Sequence, residues 1–108
     1  MVNQVAEKTV FWHRELPPLG AEVIGEHTIE ATSARVPGAL VHRDELWDAS
    51  YRDLMVRTAR RLEQEVGRLG GDYAHVLRET IEPRRDEVKN EAWLYGRFTY
   101  ALYRKDSG

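Results

Sequence analysis

Four histidines, His13, His27, His42 and His75, are the side chains best suited to metal or proton chemistry. None stands in an HxH or HExxH arrangement, and the chain has no cysteine to complete a mixed ligand set. Three of them fall on predicted strands, so the fold decides whether they converge. Joined by Glu26 or Glu30, two or three imidazoles would hold zinc, nickel or copper. Scattered histidines in ordinary surface or core roles are the stronger reading. His27, His75 and His13 are kept as the metal candidates. The missing cysteines also exclude disulfides and thiolate nucleophiles.

The remaining polar residues suggest little catalysis. Glu79 and Glu82 share a predicted strand but fall on opposite faces, and Asp44 and Glu45 sit at a helix entrance. Paired-carboxylate chemistry needs two carboxyls at a set distance across a cleft. Ser33, Ser50 and Ser107 lack a G-x-S-x-G setting. Gly67, Gly70 and Gly71 close a helix instead of opening one after a strand, which rules out a phosphate cradle. With no nucleophile–base or acid–base pair legible, no catalytic residue is assigned, no cofactor is implied, and a non-enzymatic role is expected.

The aromatic residues are concentrated near the end. Trp93, Tyr95, Phe98, Tyr100 and Tyr103 lie within one stretch. Aromatic rings of this kind form cores and interface centres, and these five are the interface candidates. Stacking on RNA needs basic neighbours, and only Arg97 and Arg104 are near. The net charge of -2 argues against nucleic acid as a partner. Sixteen Lys and Arg are matched by eighteen acids, so no polybasic membrane patch stands out. No apolar run approaches the length of a membrane span.

These residues must be positioned by a small set of elements. At 108 residues the chain is expected to be one domain, loose over 1–9 with its core in 18–104. Tyr51, Leu54, Met55, Ala59, Leu62, Val66 and Leu69 recur every three or four residues, the stripe of an amphipathic helix. The stripe is too broad and too short for a coiled coil. Ser50 is read as its cap, with Asp48 or Asp44 as earlier starts. Leu69-Gly70-Gly71 ends it, since Gly70 can take the left-handed conformation.

Glu22 to Ser33 alternates as a strand with Val23, Gly25, His27, Ile29 and Ala31 on one face, and Gly25 marks a bulge or close approach. Val10 to His13 is a candidate edge strand, and Val36-Pro37-Gly38 a candidate type II turn. Ala39-Leu40-Val41 is placed over the helix entrance. Tyr73 to Glu82 is a strand ended by Pro83, with Leu77 and Ile81 opposite Ala74 and Val76. Residues 84–91 are read as a loop, and Trp93 to Tyr103 as the last strand. That strand is apolar on both faces, which places it in the middle of the sheet. The helix connects strand 22–33 to strand 73–82, which therefore run parallel. The expected fold is α+β: a small, mostly antiparallel sheet of three to four strands with one long helix on one face.

The joint Val66-Gly67-Arg68-Leu69-Gly70-Gly71-Asp72-Tyr73-Ala74-His75-Val76 resembles the helix-to-strand joint of small bacterial domains. These include the YbjQ-type family, classed as heavy-metal binding, and envelope-lipoprotein domains of the RcsF sensor type. Glu22-Val23-Ile24-Gly25-Glu26 looks like their opening strand, and Gly96-Arg97-Phe98-Thr99-Tyr100-Ala101 like their last one. The resemblance covers roughly residues 18–104. It implies a compact domain of one helix on a small sheet, often oligomeric or located in the envelope. The cysteines that hold the RcsF type together and anchor its lipid are absent here, and no catalytic residue carries over.

One helix covers one face of the sheet, and the other face needs a cover. Two are available: a second copy of the chain, or Phe11, Trp12 and the Leu16–Leu19 segment folded over it. The expected function is a non-enzymatic binding or assembly module acting on a protein partner or on itself, with a homo-oligomer expected. The alternative is a metal- or small-ligand-binding domain using the strand histidines. A cytoplasmic location is expected if Met1 is the native start, and the bacterial envelope or periplasm if a leader was removed.

Overall fold

A computed structural model describes residues 8–38 and 43–105. In chain order the elements are β1 (Val10–Trp12), β2 (Glu22–Thr32), β3 (Val36–Pro37), α1 (Arg43–Arg68), β4 (Tyr73–Asp86) and β5 (Glu91–Arg104). The strands form one sheet in the order β1-β4-β5-β2, with the short β3 also paired to β5. β5 is central, as its two apolar faces require. β2 and β4 both run antiparallel to it and hence parallel to each other, and only the β1–β4 pair is directly parallel. The fold is α+β with α1 on one face, and it has five strands where three to four were expected.

α1 begins at Arg43, a full two turns before Ser50. Ser50 is therefore a buried residue inside the helix and not its cap. The residue before the helix, His42, and the Ala39-Leu40-Val41 segment lie outside the described residues. The buried line along α1 is Leu46, Ser50, Leu54, Thr58, Leu62 and Val66, at steps of four. Two of these are polar, which is why the apolar stripe alone drew the line too far round, toward Tyr51. Thr58 is accommodated because its Oγ1 donates to the Leu54 carbonyl at 2.8 Å. The helix ends on Gly70, with φ at 75°. The Gly71 N–H reaches the Val66 carbonyl at 2.9 Å and the Gly70 N–H the Gly67 carbonyl at 3.3 Å, the paired bonds of a Schellman cap.

Two bulges set the faces of the sheet. In β2 the register slips between Val23 and Gly25, so Gly25, His27, Ile29 and Ala31 face the helix and Val23 does not. In β4 it slips between Val76 and Arg78. The extra residue returns Ile81 to the same face as Ala74 and Val76, correcting the expectation that it lay opposite them. β4 also runs through Pro83 to Asp86. Pro83 pairs in register with Leu94 while its nitrogen, with no hydrogen to give, faces the outer edge where no ladder bond is lost. The expected loop 84–91 shrinks to Glu87–Asn90, held by Asp86 Oδ1 accepting from the Val88 and Lys89 N–H groups at 3.0 and 3.2 Å. Val36-Pro37 is a short strand on Ala92 and Glu91, not a turn.

Under the helix lie Leu94, Phe98, Tyr100 and Leu102 of β5, Val76 of β4 and Ile29 of β2, packed on Leu54, Leu62 and Val66. Gly96 makes room for this core. A Cβ there would stand 2.5 Å from the Phe98 ring and 3.3 Å from Leu54.

Candidate functional site

The three described histidines do not gather into one site. His27 projects to the helix side of β2, its ring 5.8 Å from that of Tyr100. His75 lies on the other face of β4, 7% exposed, and its Nε2 donates to the His13 carbonyl at 2.6 Å. His13 follows β1 in a left-handed conformation, with φ at 49°, and its own Nε2 meets Glu79 Oε1 at 2.8 Å. Two of the three candidates thus meet through a main-chain carbonyl and not through their rings. Among the described residues no group of three or more His, Asp or Glu stands where a metal ion would be held.

The aromatic residues of β5 divide by face. Phe98 and Tyr100 are fully buried beneath α1, so neither presents surface to a partner. Burial pushes the Tyr100 phenol up from its ordinary range, and its hydroxyl has no hydrogen-bond partner among the described residues. Trp93, Tyr95 and Tyr103 lie on the face away from the helix and are half-buried. The Arg35 guanidinium stacks 4.1 Å from the Trp93 ring centre, and that of Arg84 4.2 Å from Tyr95. The Tyr95 hydroxyl donates to Glu30. That bond to a carboxylate, which a phenolate could not make, raises the Tyr95 pKa. Arg84 is itself held by Glu82 at 2.5 Å.

The same face is covered at its other end by the chain itself. β1 and β2 sit at opposite edges, so the connector 13–21 crosses β4 and β5. The His13 carbonyl on His75 shows which face it takes. Tyr73, His75 and Ala101, all turned away from α1, are 3%, 7% and 6% exposed there. Phe11 packs edge-on against Tyr73 at 5.8 Å. Trp12, by contrast, turns to the helix side and packs edge-on against Phe98 at 6.2 Å. Leu16 and Leu19 point outward, at 73% and 101% exposed. Of the residues expected to cover this face, Phe11 packs at this end, while Trp12 and the two leucines do not.

A further surface was missed by the reading of the sequence. Beside α1, on the flank toward β1, an open groove of about 650 Å³ is walled by Tyr51, Met55, Val56 and Ala59, with Trp12, His13, Arg52 and Glu79 closing one side. Its only trace in the sequence is the excess width of the helix stripe, since Tyr51 and Val56 are apolar yet lie off the buried line.

No family model, curated protein or solved structure matches the chain. No helix among the described residues is long and apolar enough to cross a membrane.

Proposed function

We propose that the domain is a non-enzymatic assembly module whose working surface is the sheet face away from α1, and that its partner is a second copy of itself. One observation carries this reading: Trp93 and Tyr95 stand half-buried on that face with arginine side chains stacked over their rings. Tryptophan, tyrosine and arginine are the residues that dominate binding energy at interface centres. Here the stacks and the Tyr95–Glu30 bond hold them in place beforehand, which lowers the ordering cost of association.

The charge pattern favours a second copy as the partner. On this face β2 carries Glu26 and Glu30, while β4 carries Arg78 and the Arg84–Glu82 pair, which leaves Arg78 as its unpaired charge among the described residues. A two-fold axis parallel to β5 sets β2 of each copy over β4 of the other, acid against base. A stable pairing of this kind buries roughly 800 Å² per partner.

Sedimentation velocity across micromolar concentrations tests the reading. A dimer is expected for the native chain, and a monomer for Trp93→Ala and Tyr95→Ala with far-UV circular dichroism unchanged. A native chain that sediments as a monomer at every concentration overturns it.

A further inference from the structure

β4 extends well past its outer neighbour. β1 pairs only with Ala74, His75 and Val76, whereas β4 continues to Asp86. From Leu77 onward its outer edge carries no strand among the described residues. The bonds already made show which groups are free. The Ala74 N–H donates to the Thr9 carbonyl, and the Val76 carbonyl accepts from the His13 N–H, both at 2.9 Å. Ala74 and Val76 are helix-side residues. Past the bulge, the helix-side residues of β5, Phe98, Gly96 and Leu94, pair with Glu79, Ile81 and Pro83. Alternation along an antiparallel pair then turns the backbone groups of these three outward, as in Ala74 and Val76. Glu79 and Ile81 offer both N–H and C=O. Pro83 offers only a carbonyl and ends the run.

This free edge lies along the groove beside α1. Tyr51 and Val56 on the groove wall are 42% and 50% exposed. Arg52 at the groove and Arg78 on the edge strand have no ion pair or hydrogen bond among the described residues. An unsatisfied strand edge, an apolar wall above it, and a free guanidinium on each side of the edge, Arg52 at the groove and Arg78 on the opposite face, define a partner of particular chemistry, since the one acid at the groove, Glu79, is already paired with His13.

We propose that the groove binds an extended acidic peptide, which adds as a strand to β4 in line with β1. Its backbone pairs with Glu79 and Ile81, and alternate apolar side chains turn to Tyr51, Met55 and Val56. The intervening side chains of an added strand turn to the opposite face, where their carboxylates meet Arg78, and a carboxylate at the groove end meets Arg52. The free run from Leu77 to Glu82 spans about 20 Å, the length of an ordinary strand. This surface shares Arg78 with the rim of the sheet face proposed for self-association and otherwise lies on the helix side.

The test uses the full chain as bait for a phage-displayed library of random peptides. Selected peptides are expected to alternate apolar and acidic residues and to slow amide exchange at Glu79 and Ile81. Arg52→Glu and Val56→Asp, both at exposed positions, should weaken the best peptide by roughly tenfold or more, while Trp93→Ala leaves it unchanged. N-methylation of alternate peptide amides should abolish binding. The proposal is overturned if no peptide is selected or if binding maps to Trp93 and Tyr95. It is also overturned if the N-methylated peptide binds as well as the parent, since the groove would then take side chains without strand addition.

Discussion

Two side chains show how single groups are balanced in this protein. The Tyr100 hydroxyl is buried beneath α1 without a partner among the described residues, and an unsatisfied buried hydroxyl costs about 1–3 kcal/mol. Tyr100→Phe removes that hydroxyl and keeps the ring in the core. Its thermal midpoint should equal or exceed that of the native chain, and a clear fall would reveal a hydrogen bond to the hydroxyl. Asp53 shows the opposite case. It accepts from the Ala34 N–H at 2.7 Å and from Arg57 at 3.0 Å. The backbone bond, then Arg57, hold its carboxyl below the usual aspartate range. A depressed pKa means that the ionised form is the one favoured by folding. Its contribution is complete at neutral pH and is lost as pH falls through the depressed value. Asp53→Asn should therefore lower the melting temperature at neutral pH, and the gap to the native chain should close below the ordinary aspartate range. A gap independent of pH would mean that the amide change disturbs something other than this charge.

At the scale of elements, α1 shows both what was legible in the sequence and what was not. Leu54, Leu62 and Val66 were visible as a stripe because apolar residues at helical spacing have few other uses. Leu62 is fully buried at its centre, and Leu62→Ala should cost roughly 2–5 kcal/mol in denaturant unfolding. A midpoint within error of the native chain would mean that the stripe does not face the core. Ser50 and Thr58 complete the same line but are polar, and their side chains alone do not announce burial. The strands follow the same logic. β2, β4 and β5 were legible from alternation and from turn residues, and the central place of β5 from its two apolar faces. The bulge in β4 was not. It depends on how main-chain bonds are shared with β5, and the residue inserted, Leu77, looks like any other strand residue. Pro83 misled in the same way, because a proline ends a strand only where its missing N–H is needed, and at this edge it is not.

At the scale of the whole molecule, the groove and the covered end of the sheet were beyond reach from sequence. Each is made by residues far apart in the chain, Trp12 with Val56 or His13 with His75, whose meeting depends on the connector crossing between opposite edges. The interface candidates were partly legible: five aromatics stand in β5, but only alternation measured from a known helix side tells Trp93, Tyr95 and Tyr103 from Phe98 and Tyr100. The register has one more effect. Val10 is level with Ala74, and Ala74 with Leu102, so the described chain enters and leaves the sheet at one end, about two strand spacings, or 10 Å, apart. The four-residue tip at Glu87–Asn90 lies at the opposite end, with Val88 95% exposed. A short link from the last strand to the first, with a new opening at Val88, would keep every strand pairing. The fold is thus expected to tolerate circular permutation, with the permuted chain giving the native circular dichroism spectrum: the order in which its strands are read out is separable from the order in which they stand side by side.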